Sequence, residues 1–309
     1  MRTFRFWSKA SELVQTPDRE WNIECYGGSD TSIEKALQHA RERVQAVVAA
    51  VSEGCQLDQY TYSDRPLREE VIEELAHQGE TVALLTRNSY GSLILNTASV
   101  LFADIDYRDG NGREAYVTGT ESPGLFSQLL RFVARILGKE VSADRDDAVA
   151  DPPSEPPSED DRIVERVRSV TARHDGLGVR LYRTANGFRC LVTSGTWDPM
   201  AAETTRLLEE LGSDPLYVTL CRGQECFRAR LSPKPWRCEM PTPAIRFPWP
   251  DDAAEQEYRQ WVAAYERAAA EYSTCAFIGA FGEPRVDPAV EPILRLHDVL
   301  SCTGEGPIA

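Results

Sequence analysis

Apolar residues recur at helical spacing in the first part of the chain and then give way to short strand-like runs. Between 31 and 53 they lie on one face of a predicted helix, and a shorter helix is predicted over 67–77, ending near Gly79. The apolar face of the first helix consists of Ile33, Ala36, Leu37, Val44, Val47 and Val48. The strand-like runs are TVALLT (81–86), SLILNT (92–97) and SVLFADIDY (99–107). Turn residues at 88–91 predict that the first two of these strands form a hairpin.

After position 158, helical and strand patterns alternate. Ser158 and Asp161 resemble a capping box at the start of a helix. The apolar stripe of that helix is Ile163, Val164, Val167 and Val170. The runs GVRLYRT (178–184) and FRCLVTS (188–194) flank Asn186–Gly187. Both central residues of a type I′ turn need positive φ, which Asn and Gly adopt readily, so a hairpin is predicted here.

The remaining patterns complete the predicted fold. They are a helix over 200–211, a pair of strands at YVTLC (217–221) and FRARL (227–231), and helices over 258–272 and 288–300. The fold class predicted from all of these elements is α+β (α/β), with a mixed, mainly antiparallel sheet and flanking helices.

Two stretches in the middle of the chain differ from the rest. Residues 124–138 predict a basic amphipathic helix, packed on the sheet or docked on a membrane surface or a partner. Residues 140–161 are rich in Pro, Ser and Asp and lack apolar periodicity, so they predict an acidic disordered insertion. Such an acidic arm is also a candidate contact for a protein partner.

The composition is that of a folded protein. Of 309 residues 42% are hydrophobic, and no apolar run approaches the roughly 18 residues needed to span a bilayer. The N-terminal stretch lacks the apolar core of a signal peptide, so we expect no membrane span and a cytoplasmic location. The net charge of −15 argues against sequence-independent binding of duplex nucleic acid, although much of it lies in 140–161. The irregular spacing of the eight cysteines predicts no disulfide framework.

The most specific chemical feature is the pair Asp104 and Asp106 at the end of an apolar strand. Side chains two apart in a strand share a face, so the two carboxylates project together, about 7 Å apart along the chain. A divalent cation such as Mg²⁺ or Mn²⁺ would compensate their charge and bring substrate phosphates with it. The alternative is a strand that emerges into solvent, with the aspartates making turn and capping hydrogen bonds near Asp109–Gly110.

Basic side chains on two other strands are candidate phosphate ligands. If Asn186–Gly187 forms the turn, Ala185 pairs with Phe188, and Thr184 pairs with Arg189, which places a hydroxyl beside a guanidinium. The further candidates are Arg228, Arg230 and Lys234. The competing interpretation of the hairpin is a polar face exposed to solvent. The competing interpretation of Arg228 and Arg230 is that carboxylates of the protein neutralise them.

The order of these elements resembles the catalytic core of archaeo-eukaryotic primases and primase-polymerases over about residues 81–235. The resemblance implies that Asp104 and Asp106 bind metal ions, that a later acidic residue, for which Asp214 is the candidate, completes the metal site, and that nucleotides are joined with loss of pyrophosphate. Arg189 stands where the family has a histidine. The implied partners are a nucleotide and single-stranded nucleic acid.

The primase-like interpretation divides the chain into five parts. They are an N-terminal helical segment (1–80), the first half of the core (81–139), the acidic insertion (140–161), the second half of the core (162–240) and a C-terminal helical extension (241–309). The predicted function is divalent-metal-dependent nucleotide binding or nucleotidyl transfer. The alternative is a catalytically degenerate binding or scaffold module on the same fold.

Cysteines in the last third of the chain suggest a competing zinc site. The candidate ligands are Cys221, Cys226, Cys238 and Cys275. Cys221 and Cys226 are separated by four residues, a looser spacing than that of a zinc knuckle. His297 lies on the apolar face of its predicted helix, which favours a core histidine bonded to Asp298 or to a carbonyl over a metal ligand.

Overall fold

The computed structural model describes most of the chain on either side of a long central stretch. The described residues are 1, 3–15, 20–52, 66–77, 79–107, 158–302 and 306–309. Residues Met1–Tyr107 and Glu159–Ala309 form one compact unit. The helix predicted over 124–138 and most of the acidic insertion predicted over 140–161 lie outside the described residues.

The first sheet is a long N-terminal hairpin that a helix covers. Strands β1 (Phe6–Gln15) and β2 (Glu20–Ser29) pair antiparallel, and helix α1 (Ile33–Ser52) packs on both of them. A Cβ atom at Gly27 would lie 2.1 Å from the backbone nitrogen of Ala40, so only glycine permits this close approach. The small core between hairpin and helix contains Ile23, Val44 and Val47. The predicted helix is confirmed, whereas the hairpin was not predicted.

The second sheet has four antiparallel strands. They are β3 (Glu70–His77), β4 (Glu80–Arg87), β5 (Leu93–Thr97) and β9 (Phe227–Arg230), in the order β3-β4-β5-β9. The predicted β4–β5 hairpin is confirmed. Because β9 pairs with β5, a strand from the second half of the chain closes a sheet made in the first half.

The helix predicted over 67–77 is wrong, because strand β3 forms there. Its glutamates and leucine favour a helix locally, but pairing with β4 overrides that preference. Glu69, just before β3, forms an ion pair with Arg228 of β9, and Glu70 forms one with Arg259. These long-range partners hold the segment against the sheet.

The third sheet carries most of the candidate site. Its strands are β6 (Phe102–Asp106), β7 (Gly178–Thr184), β8 (Gly187–Val192) and β10 (Cys275–Gly282), in the order β10-β7-β8-β6. All three pairings are antiparallel. Strand β10 was not predicted, because its glycines and a β-bulge near its middle interrupt the alternation of side chains.

The β7–β8 hairpin is confirmed, but its predicted register is wrong. Thr184 pairs with Gly187, so the two-residue loop is Ala185–Asn186, and Arg189 lies opposite Tyr182 and not opposite Thr184. The φ angle of Gly187 is 147°, and a Cβ atom there would lie 2.0 Å from a carbonyl oxygen of β6. The glycine is therefore needed as the first residue of β8, where the neighbouring strand approaches closely.

Five further helices complete the described fold. They are α2 (Glu159–Arg173), α3 (Ala202–Leu211), α4 (Pro215–Gln224), α5 (Asp252–Ala269) and α6 (Glu291–Ser301). A short 3-10 helix, Pro235–Cys238, follows β9. The helices predicted in the regions of α2, α3, α5 and α6 are confirmed.

The strand predicted at 217–221 is wrong, because this run lies in α4. The Asp214 side chain caps the helix by accepting hydrogen bonds from the backbone N–H groups of Leu216 (2.8 Å) and Tyr217 (3.0 Å). Pro215 occupies the first turn, where its missing N–H costs nothing. The Asp-Pro start of a helix was thus present in the sequence, but the β-branched and aromatic residues after it favoured a strand.

A tyrosine joins the second and third sheets into one core. The hydroxyl of Tyr217 donates to backbone carbonyls of β6 and β9 at 3.0 Å, and it accepts from the backbone N–H of Arg228 at 3.1 Å. The buried apolar residues of both sheets form one continuous cluster. The fold class is α+β, as predicted, but it is built from three antiparallel sheets.

None of the helices in the described ranges is long and apolar enough to cross a membrane.

Candidate functional site

The site is built on β6, the edge strand of the third sheet. Asp104 and Asp106 lie on β6, and Asp104 is the register partner of Arg189 on β8. An Arg189 amino group lies 3.7 Å from the carboxylate of Asp104, whose side chain is 35% exposed. Ile105 between the two aspartates is buried. Alternation along the strand therefore presents both carboxylates on one face, as predicted.

The junction between α3 and α4 brings a third carboxylate to this edge. The backbone N–H of Asp214 donates to the carbonyl of Asp104 at 2.8 Å, and the hydroxyl of Ser213 donates to the same carbonyl at 3.2 Å. The side chain of Asp214 is occupied as the N-cap of α4. Asp214 thus lies beside the aspartate pair, although it does not end a strand as the third acidic residue of the family would.

The pKa of Asp106 is affected by the other two carboxylates. Partial burial of its carboxylate raises the pKa of Asp106, and the negative charges of Asp104 and Asp214 raise it further. A hydrogen bond from Asn186 at 3.5 Å and the charge of Lys234 act in the opposite direction without cancelling the shift. A bound cation would relieve this repulsion.

Arg189 is the most deeply buried charge at the site. The residue is 2% exposed, and one amino group donates to the carbonyl of Arg230 at 2.8 Å and lies 3.5 Å from Nε2 of His297. Its Nε has no hydrogen-bond partner. A buried guanidinium with an unused donor and a carboxylate only at 3.7 Å is incompletely compensated.

Arg230 lies next to Arg189 and is similarly uncompensated. Burial lowers its pKa; the charge of Asp104 opposes this shift, while Arg189 and Arg237 add to it. The Nε of Arg230 is also buried without a partner. The two arginines therefore repel each other beside the aspartates, an arrangement that an anion between them would stabilise.

Two of the predicted phosphate ligands lie apart from this pair. Arg228 donates to Glu69 at 2.5 Å and to Gln224 at 2.8 Å, so the carboxylate of the protein itself neutralises it, as the competing interpretation proposed. Thr184 lies at the end of β7 opposite Gly187, two positions beyond Tyr182, which faces Arg189. Neither contributes a free phosphate donor next to Arg189.

Lys234 extends the site toward an exposed tryptophan. Its charge lowers the pKa of Asp106, and its ammonium lies 5.3 Å from the ring centroid of Trp236. Trp236 is 41% exposed and packs edge-on against Tyr90. Trp236 and Arg237 were not predicted as site residues, although the run Lys-Pro-Trp-Arg, three residues after β9, combines cations with an aromatic ring.

The predicted zinc ligands do not assemble as one set. Cys221 and Cys226 flank the end of α4, where burial raises the pKa of their thiols to about 12 and about 11. Cys238 packs with Tyr265. Cys275 lies instead beside His297, which is fully buried and hydrogen-bonded to Asp298 at 3.1 Å, as expected for a core histidine.

Potential metal ligands approach one another most closely near His297. Within the part of the chain that the structure describes, His297, Asp298 and Cys302 are the one group of three whose ligand atoms all lie within 4.8 Å of one another. The three aspartates at β6 are therefore spaced more widely. Water molecules would have to bridge part of that distance to a shared ion, and Mg²⁺ usually keeps several waters.

A cavity of about 570 Å³ opens between α3 and α4. Its lining is Met200, Thr205, Glu209, Ser213, Pro215, Val218, Thr219, Arg222 and Gly223. Asp104, Asp106 and Asp214 do not line it. The charged cluster at β6 is the stronger candidate site, because several perturbed and uncompensated charges converge there.

Comparison with protein-family models, with curated proteins and with solved structures gives no match. The function has to be argued from the geometry of the site.

Proposed function

We propose that the edge of β6 binds a nucleotide together with Mg²⁺ or Mn²⁺, in chemistry of the nucleotidyl-transfer type. The observation that carries this proposal is the convergence of Asp104, Asp106 and Asp214 beside Arg189 and Arg230. Carboxylates are the ligands that these hard cations prefer, and guanidinium groups bind phosphate oxygens in pairs. One short edge of the sheet therefore offers ligands for both halves of a metal–triphosphate complex.

The carboxylates have distinct roles in this proposal. Asp106 is the primary metal ligand, because a cation would offset both the partial burial and the repulsion by Asp104 and Asp214 that raise its pKa. Asp104, whose carboxylate lies 3.7 Å from an Arg189 amino group, would be a second metal ligand and would orient that guanidinium. Asp214 reaches the ion through water, since its side chain also caps α4. The metal would supply charge neutralisation and the activation of an attacking hydroxyl.

The cations have matching roles. Arg189 and Arg230 would supply positive charge beside the aspartates, and Lys234 would add a third positive charge. Trp236 next to Lys234 offers an exposed ring for stacking of the base. Base–aromatic stacking contributes about 1–3 kcal/mol and tolerates every base. This arrangement favours a nucleotide, or the end of a single strand, over a simple phosphate.

A thermal-shift titration tests the proposal. Mg²⁺ and Mn²⁺ are added alone and with each NTP and dNTP; a ligand at 100 times its Kd should stabilise the protein by about 2.7 kcal/mol. We expect metal and nucleotide to stabilise the protein together and Asp106→Asn to abolish the effect. The matched control is Asp175→Asn, since Asp175 is exposed and lies between α2 and β7, at the end of β7 opposite the site. No shift with any combination would contradict the proposal.

The second candidate is a binding module with a degenerate site. The observation in its favour is Arg189, which neutralises Asp104 where the primase-like resemblance implies a histidine. Such a module would bind nucleotide without needing a divalent metal and would not extend a primer. Equal nucleotide affinity in Mn²⁺ and in EDTA, without extension activity, would favour this candidate over nucleotidyl transfer.

A further inference from the structure

A second cluster of polar side chains lies next to Arg189, whose amino group is 3.5 Å from Nε2 of His297. It joins the first residue of β10, Cys275, to the end of α6, which contributes His297, Ser301 and the C-cap residue Cys302. Cys275, His297 and Ser301 are at most 1% exposed. The proposed nucleotide chemistry uses none of these residues.

The potential ligand atoms of these residues lie close together. The Cys275 sulfur lies 3.5 Å from the Cys302 sulfur and 4.0 Å from Nε2 of His297. The hydroxyl oxygen of Ser301 lies 3.4 Å from the Cys275 sulfur, 3.7 Å from the Cys302 sulfur and 3.3 Å from Nε2 of His297. A ring nitrogen of His297 and the Cys302 sulfur are within 4.8 Å.

These distances match the edges of a zinc coordination tetrahedron. With Zn–S bonds of about 2.3 Å and Zn–N and Zn–O bonds of about 2.0 Å, the S···S edge is about 3.8 Å. The corresponding S···N, S···O and N···O edges lie between about 3.3 and 3.6 Å. Five of the six edges are within about half an ångström of their tetrahedral values. The sixth edge joins the Cys302 sulfur to His297, and rotation of the Cys302 thiol would have to bring the sulfur to Nε2.

The surroundings of His297 are those of a metal-bound histidine. Its Nδ1 lies 3.1 Å from the carboxylate of Asp298, which leaves Nε2 toward the sulfurs. Asp298 is itself fixed by hydrogen bonds from Tyr182 at 2.7 Å and Arg180 at 2.9 Å. A carboxylate on the second ring nitrogen fixes the tautomer and raises the basicity of the first, as in carboxylate–histidine–zinc groups.

We propose that Cys275, His297 and Cys302, with Ser301 at the fourth corner, bind a structural zinc ion. The ion would fasten α6 to β10 and fix His297, which lies 3.5 Å from Arg189. Two thiolates neutralise the ion, so the nearby guanidinium is tolerated. This proposal does not depend on the nucleotide function of the neighbouring edge.

Metal analysis of protein purified under reducing conditions without chelator tests the proposal. We expect one zinc per chain, lost in Cys302→Ser and in Cys275→Ser but kept in Cys25→Ser, a control cysteine in the N-terminal hairpin. Serine keeps the size of the side chain and removes the thiolate. Cobalt reconstitution should give a thiolate-to-cobalt charge-transfer band in wild type and a weaker one in either variant.

A zinc titration against a chromophoric chelator tests whether the hydrogen bond from His297 to Asp298 strengthens zinc binding. Asp298→Asn should weaken zinc binding by roughly 10- to 100-fold, because the hydrogen bond between the Asp298 carboxylate and Nδ1 of His297 loses its charge. The proposal is overturned if reduced wild-type protein, supplied with excess zinc, holds none. It is equally overturned if both cysteine variants bind zinc as tightly as wild type does. A Cys275–Cys302 disulfide that forms in air while the reduced protein ignores zinc would assign the pair to redox chemistry instead.

Discussion

Arg228 on β9 differs from Arg230 on β9 and Arg189 on β8 in how the charge of the guanidinium group is compensated. Arg228 meets Glu69 at 2.5 Å and Gln224 at 2.8 Å, and Glu69 in turn accepts from Thr86 at 2.6 Å. Arg189 and Arg230 share one partly exposed aspartate and keep unused donors. The difference separates an arginine whose charge the protein itself compensates from two arginines whose charge is incompletely compensated, which we propose as phosphate ligands.

The largest expected effect comes from a substitution that breaks the ion pair between Glu69 and Arg228. Glu69→Gln leaves Arg228 without a counter-charge inside the second sheet, and we expect a loss of about 3–5 kcal/mol in the free energy of unfolding. Urea denaturation measures it. The matched control is Glu165→Gln, which removes an exposed ion pair with Arg168 and should cost at most about 1 kcal/mol. Equal effects of the two variants would remove the distinction drawn above.

The next effect concerns binding more than stability. Arg189→Met removes a poorly compensated buried cation and keeps an apolar stem, so stability should change by less than about 1.5 kcal/mol. Nucleotide affinity should fall roughly 10- to 100-fold, because charge-assisted hydrogen bonds contribute about 1.5–3 kcal/mol each. Exposed Arg285→Met is the control. A variant that unfolds while wild type binds no nucleotide would make Arg189 structural, like Arg228.

A smaller effect on nucleotide affinity is expected at Trp236. Trp236→Leu should lower nucleotide affinity by roughly fivefold to tenfold, about 1 kcal/mol, because the ring that stacks on the base is lost. Trp236→Phe should retain most of the affinity. Calorimetric titration distinguishes the two. If both variants bind as wild type does, the base does not stack on this ring.

The smallest effect is a pH dependence at Asp106. Its folded-state pKa is raised above 3.8, so the folded protein holds this proton more tightly than the unfolded chain does. The stabilising contribution is present below pH 3.8 and is lost as the pH rises through the folded-state pKa. Asp106→Asn should remove this part of the slope in a plot of unfolding free energy against pH. An unchanged slope would mean that the pKa of Asp106 is not raised in the folded protein.

The parts of the fold that the sequence predicted are those in which local preference and tertiary context agree. The helix at Ile33–Ser52 and the β4–β5 hairpin have clear periodicity and turn residues. Strand β3 was missed because its partners, Arg228 and Arg259, are distant in sequence. Helix α4 was missed because its β-branched residues outweighed the Asp214–Pro215 start.

The candidate site was predictable to a similar extent. Asp104 and Asp106 follow from alternation along a strand, since they need no knowledge of other elements. The closeness of Arg189 to Asp104 depends on a strand pairing across more than eighty positions, and the separate fate of Arg228 depends on Glu69. Cys302 was missed because its partner Cys275 lies on a strand that the pattern did not predict.

The most direct test of the account is a calorimetric titration of NTPs and dNTPs at constant ionic strength, in Mn²⁺ and in EDTA. The account predicts binding in Mn²⁺ that is at least roughly tenfold weaker in EDTA and is lost in Asp106→Asn. Asp175→Asn should bind as wild type does. The same affinity with and without metal, or no binding of any nucleotide, would contradict the claim that the edge of β6 binds a metal–nucleotide complex.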